Sequence, residues 1–164
     1  MVLIYKQIKF KFFEYIPIIL LFFISLKGSS IVELKIISIN IHYILVYYWV
    51  LRRPQSLGYG FIFISGIITD VVLGFPLGIN ALSLLIVAAV AAYVRVVTVR
   101  ITLINDWLSF IPALLIANLV YFFSLHLSDF SVEYLYFFKN SIFTFIFYPI
   151  LWLIFSLISK LSEH

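Results

Sequence analysis

The sequence predicts an all-α membrane protein, a bundle of about six transmembrane helices forming one domain over residues 1–164. Three observations predict it. Of the 164 residues, 65% are hydrophobic and 11% are charged, whereas soluble domains carry about 45–50% apolar and about 25% charged residues. The mean hydropathy of +1.18 leaves too little polar surface to face water, so lipid must be the solvent over most of the chain. The apolar residues also fall into six runs, separated by short breaks rich in Gly, Pro, Ser or charge. Eighteen Phe and eleven Tyr suit helices that face lipid and its interfaces.

A span needs roughly 20 mostly apolar residues. The first run covers Phe12 to Leu26 and ends at Gly28-Ser29-Ser30. Lys6, Lys9 and Lys11 precede it, but no small-x-small cleavage site follows, so it reads as a retained span and not a signal peptide. The second covers Ile36 to Leu51 and is stopped by Arg52-Arg53-Pro54. The third covers Leu57 to Leu73 and the fourth Pro76 to Val97, with Pro76 in a favoured first-turn position. Between them lies a tight turn, Gly74-Phe75-Pro76-Leu77-Gly78. The fifth covers Trp107 to Leu127, with Asn105 or Asp106 as its N-cap. The sixth covers Asn140 to Ser159. The connection from Asp129 to Lys139, acidic and then aromatic, is expected to lie along the outer interface.

Charge gives the orientation. Lys6, Lys9, Lys11, Arg52, Arg53, Arg95, Arg100 and Lys160 fall on one side, and Lys27, Lys35 and Lys139 on the other. The positive-inside rule then puts both termini in the cytoplasm. The net charge of +4 is thus read as membrane topology, with no nucleic-acid partner. Arg52, Arg53, Arg95 and Arg100 are expected to anchor on anionic headgroups.

With this topology Asn40, His42, Asp70, Asn80, Asn118 and His126 all fall in the outer half of the membrane. Asp70 is the most informative. An acid in lipid costs several kcal/mol unless it faces the interior and finds a partner. Ile62, Gly66 and Asp70 lie at i, i+4 and i+8, so the acid shares a stripe with a glycine that lets a neighbouring helix approach. Two roles are open: Asp70 braces the hairpin, for instance against the N-terminal amides of the fourth span, or it contacts a partner protein or ligand. Ala88/Ala92 and Ala113/Ala117 give small faces suited to internal packing.

No catalytic site is legible. The chain has no cysteine, which excludes disulfides and thiol chemistry. Two histidines inside spans, His42 and His126, are too few for zinc, which wants three or four ligands. No phosphate-binding glycine loop or metalloprotease pattern is present, and no cofactor or metal is called for.

The hairpin resembles a known family. Arg53-Pro54, then Gly66-Ile67-Ile68-Thr69-Asp70, then Gly74-Phe75-Pro76-Leu77-Gly78-Ile79-Asn80-Ala81 are similar to the signature of the rod shape-determining protein MreD family. The specific match covers residues 52–95; elsewhere only the hydrophobic pattern agrees. The resemblance implies a non-enzymatic protein of the bacterial inner membrane, part of the cell-wall elongation machinery and needed for rod shape and lateral peptidoglycan synthesis. It implies association with MreC, with the MreB filament, and with the elongation transpeptidase and its glycosyltransferase partner, besides membrane lipids. It also implies a helix arrangement similar to the substrate-binding subunits of energy-coupling-factor vitamin transporters. Arg53, Pro54, Gly66, Asp70, Gly74, Pro76, Gly78 and Asn80 are its partner-binding or hairpin-bracing residues. The alternative is a small-molecule (vitamin-like) substrate-binding subunit of a membrane transporter, using the outer polar residues as a ligand pocket.

Overall fold

A computed structural model of the protein describes residues 2–27, 31–34, 37–98, 102–129 and 134–161. Among these residues there are six helices: α1 (Val2–Lys27), α2 (Ile41–Arg52), α3 (Tyr59–Leu73), α4 (Ile79–Val97), α5 (Leu103–Leu127) and α6 (Tyr134–Leu161). Between α1 and α2 lie two short strands, β1 (Ile31–Leu34) and β2 (Ile37–Asn40), paired antiparallel with Ile31 opposite Asn40 and Leu34 opposite Ile37. Among the described residues, three helical segments are long and apolar enough to cross a membrane: Ile79–Val97, Leu103–Leu127 and Phe138–Lys160. Tyr15–Lys27 and Tyr59–Leu73 are shorter apolar helices.

Helix α2 is the centre of the fold. Every residue from His42 to Leu51 is buried, the expected fate of a helix that is apolar all round. It packs against α1, α4, α5 and α6, while α1–α3, α3–α4, α4–α5 and α5–α6 contacts form an arc around it. Its large rings lock the core: Tyr47 meets Phe110 and Tyr148 edge-on, and Phe110 stacks on Tyr148 at 4.8 Å. Ala88, Ala113 and Ala117 are fully buried, so the small faces of α4 and α5 serve internal packing.

Several helices differ from their expected bounds. The helix expected from Ile36 begins at Ile41, because Ile37-Ser38-Ile39-Asn40 takes up β2 instead. Its β-branched, alternating pattern suits a strand. Asn40 then caps α2, its side chain accepting from the Tyr43 N–H at 3.2 Å. The helix expected from Pro76 begins at Ile79, and Pro76 belongs to the turn. Helix α5 starts at Leu103, earlier than Trp107, and its N-cap is Thr102, whose hydroxyl accepts from the Asn105 N–H at 3.3 Å. Neither Asn105 nor Asp106 is therefore the cap. Helix α6 starts at Tyr134, so the second half of the connection expected along the interface is helical, and residues 130–133 lie outside the described residues.

Candidate functional site

The α3–α4 hairpin is built on three glycines and one acid. Gly74 closes α3 in the left-handed region at φ 68. The Phe75 N–H reaches back to the Asp70 carbonyl at 2.9 Å and the Gly74 N–H to Val71 at 3.3 Å, a pair of bonds that satisfies the last carbonyls of a helix. Pro76 follows, where a helix could not continue. Gly78 opens α4 at φ 104, a region that side chains other than glycine's rarely adopt. Gly66 serves a different purpose. A Cβ placed on it would stand 2.3 Å from the Ala81 Cα, so α3 and α4 touch backbone to backbone there.

Gly78 offers no side chain to cap α4, and Asp70 supplies the missing acceptor from the neighbouring helix. Its Oδ2 accepts from the Gly78 N–H at 2.8 Å, and its Oδ1 accepts from the Asn80 N–H at 2.9 Å and from Asn80 Nδ2 at 2.8 Å. Asp70 is fully buried. A carboxylate at a helix N-terminus is favoured both by the orphan N–H groups and by the positive end of the dipole. Both oxygens are engaged by the hairpin's own donors.

The other polar residues expected in the outer half of the membrane do not join this cluster. His42 is buried, with Nε2 at 3.1 Å from Ser25 Oγ and 3.2 Å from the Leu21 carbonyl of α1. Asn118 Nδ2 donates to Ser141 Oγ of α6 at 2.6 Å. The Asn40 N–H donates to Thr144 Oγ1 at 2.8 Å. His126 is exposed near the end of α5. His42, Asn118 and Asn40 thus each tie a different pair of elements. Among the described residues no three His, Asp or Glu side chains are grouped to hold a metal ion.

Arg53 and Pro54 lie at the opposite end of α3. Arg53 ends α2, its N–H donating to the Trp49 carbonyl at 2.7 Å and its Nη2 to the Ser159 carbonyl of α6 at 3.0 Å. Pro54 takes the second position of a tight turn closed by the Ser56 N–H on the Arg53 carbonyl at 3.0 Å, a position where its fixed φ is an advantage.

A second polar centre at this end was not anticipated. Asp106 is buried and pairs with Arg52, Nη2 to Oδ2 at 3.0 Å. The same oxygen accepts from Trp152 Nε1 at 2.9 Å, and the Arg52 guanidinium lies 4.9 Å from the Trp152 ring centre. One clasp therefore joins α2, α5 and α6. Beside it the Tyr47 hydroxyl donates to Ser109 at 2.9 Å, and Arg95 donates to the Val50 carbonyl at 3.4 Å. Arg52 and Arg53, expected as headgroup anchors, hold helix ends together. The spacing of acid to base, 54 positions, gave no local signal; an acid four places into an apolar helix was the only hint.

A family model described as rod shape-determining protein MreD matches residues 6–161. No curated protein and no solved structure matches the chain.

Proposed function

We infer the function of this chain from its family: it belongs to the rod shape-determining protein MreD family, and its role lies in determining rod shape at the membrane. The proposed mechanism is packing. The chain spans the bacterial inner membrane six times with both termini in the cytoplasm, in an arrangement like that of energy-coupling-factor substrate-binding subunits. It is not an enzyme. It holds the single span of MreC, and through MreC it is linked to the MreB filament, the elongation transpeptidase and its glycosyltransferase.

The observation that carries this reading is the Asp70 cluster. Both oxygens of the one buried acid in the hairpin accept from the Gly78 and Asn80 amides and the Asn80 side chain. The hairpin is therefore stiff, and what it turns outward is apolar: Val71, Val72, Leu73 and Leu77 are exposed. A rigid apolar surface is what a partner's transmembrane helix needs, because helices associate in lipid through close packing. Bracing is accordingly the role assigned to Gly66, Asp70, Gly74, Pro76, Gly78 and Asn80, with Arg53 and Pro54 fixing the other end of α3.

Co-purification tests it. Asp70→Ala and Gly66→Leu chains that reach the membrane should retain much less MreC than the wild type, and cells relying on them should round up. Variants that insert normally, keep MreC and support rods would overturn the proposal.

A further inference from the structure

At the foot of α2 the chain forms a pocket that the hairpin does not use. Its volume is about 560 Å3, and its walls include Arg52, Arg53, Gln55 and Ser56 from the α2–α3 turn and Tyr15 and Phe61 from α1 and α3. Among the described residues, the lining holds two guanidinium groups and no carboxylate. The bonds of Arg52 to Asp106 and of Arg53 to the Ser159 carbonyl hold both side chains in place at the wall. A guanidinium presents five donors in a planar fork that matches phosphate. Gln55 and Ser56 add an amide and a hydroxyl at the same mouth.

The pocket is also two-faced. Below the polar mouth, Tyr15, Ile19 and Phe23 form an exposed apolar stripe on α1, and Phe61 and Ile64 are exposed on α3. In sequence, Lys6, Lys9 and Lys11 precede this stripe within the same helix, and the first apolar run begins at Phe12. Charge above and grease below mark a membrane–water boundary. A free phosphate would use only the upper half of such a site. An amphiphile with an acidic head would use both, and basic pockets between membrane helices recognise such heads.

We propose that this pocket binds the phosphate headgroup of an anionic lipid, with its acyl chains lying along the α1–α3 face. The test is thermal unfolding of the full chain in detergent with added phosphatidylglycerol, with phosphatidylcholine at the same mole fraction, or with inorganic phosphate. A ligand that binds only the folded state raises the unfolding temperature. Phosphatidylglycerol should raise it by several degrees, phosphatidylcholine much less, and inorganic phosphate not at all. Arg53→Gln should abolish the difference between the lipids. Because Arg53 also holds α6, Ser56→Glu provides a second variant: it places a negative charge at the mouth and should abolish the phosphatidylglycerol effect while leaving the lipid-free unfolding temperature near the wild-type value. Equal shifts with both lipids would overturn the proposal, as would a phosphatidylglycerol effect unchanged by Ser56→Glu. A shift with inorganic phosphate as large as with phosphatidylglycerol would make the ligand a free anion and overturn the lipid assignment.

Discussion

Asp70 and Gly66 do two halves of one task. Gly66 lets the α3 and α4 backbones meet, and Asp70, one turn further on, receives the amides that this closeness brings within reach. Substitutions should separate the two effects. In a helix, Gly→Ala ordinarily adds up to about 1 kcal/mol of stability through propensity. At Gly66 the added methyl meets the Ala81 backbone, which cannot rotate away, and overpacking of this kind costs about 1–3 kcal/mol. At Gly60, also in α3, a methyl meets nothing within 4 Å. Gly66→Ala should therefore lower the unfolding temperature while Gly60→Ala leaves it unchanged or raises it. Asp70→Asn keeps the shape but replaces one acceptor oxygen with an amide that points donors at donors. It should destabilise by about 1–3 kcal/mol, the usual cost of a buried polar group left without its partner. Equal behaviour of the two alanine variants in thermal unfolding would refute the close-contact account.

At the scale of elements, the clasp of Arg52, Asp106 and Trp152 decides how α2, α5 and α6 are held at the arginine-rich end. Removing one partner of a buried pair leaves the other charge stranded, at about 3–5 kcal/mol. The Arg52 side chain is 26% exposed, against 2% for Asp106, so the arginine can reach water and the acid cannot. Arg52→Met should therefore cost more than Asp106→Leu, and the double variant should cost less than the two single ones added together. Additive losses in a double-mutant cycle of unfolding free energies would show that the pair is not coupled. The contrast with the hairpin explains what could be read from the sequence. Gly66, Asp70, Gly74 and Gly78 stand within thirteen positions of each other, and helical spacing alone puts them on one stripe and one turn. Arg52 and Asp106 are joined only by the packing of two distant helices. Each therefore read as something local, a headgroup anchor and a cap. The β1–β2 ribbon was missed for another reason. The Ile-Ser-Ile-Asn alternation of β2 adjoins an apolar run, so in sequence it reads as part of a helix.

For the molecule as a whole, the lengths of the elements raise a question of fit. A hydrocarbon core of about 30 Å exceeds the roughly 18 Å that a twelve-residue helix such as α2 provides at about 1.5 Å per residue. Strand β2 runs directly into α2, and its four residues can add at most about 13 Å at about 3.3 Å each. Non-helical backbone is tolerated at membrane depth only where protein covers it. Strand β2 meets that condition: β1 pairs with it, and α6 packs against it, with Thr144 accepting the Asn40 N–H. Strand and helix together therefore supply the length that the longer helix expected from the sequence would have supplied. The same logic predicts which ends face which compartment. Arg52, Arg53 and Arg95 lie together with the ends of α2 and α4, while the Gly74–Gly78 turn lies at the other end of α3. Because the chain contains no cysteine, single cysteines can report on each end without background. Leu77 is 68% exposed in the turn, and Gln55 is exposed in the α2–α3 connection. In spheroplasts, a membrane-impermeant maleimide should label Leu77→Cys directly and Gln55→Cys only after the membrane is permeabilised. Labelling of both from outside would show that α3 does not cross. The reverse pattern would invert the molecule and place the arginines against the rule that positive charge stays inside.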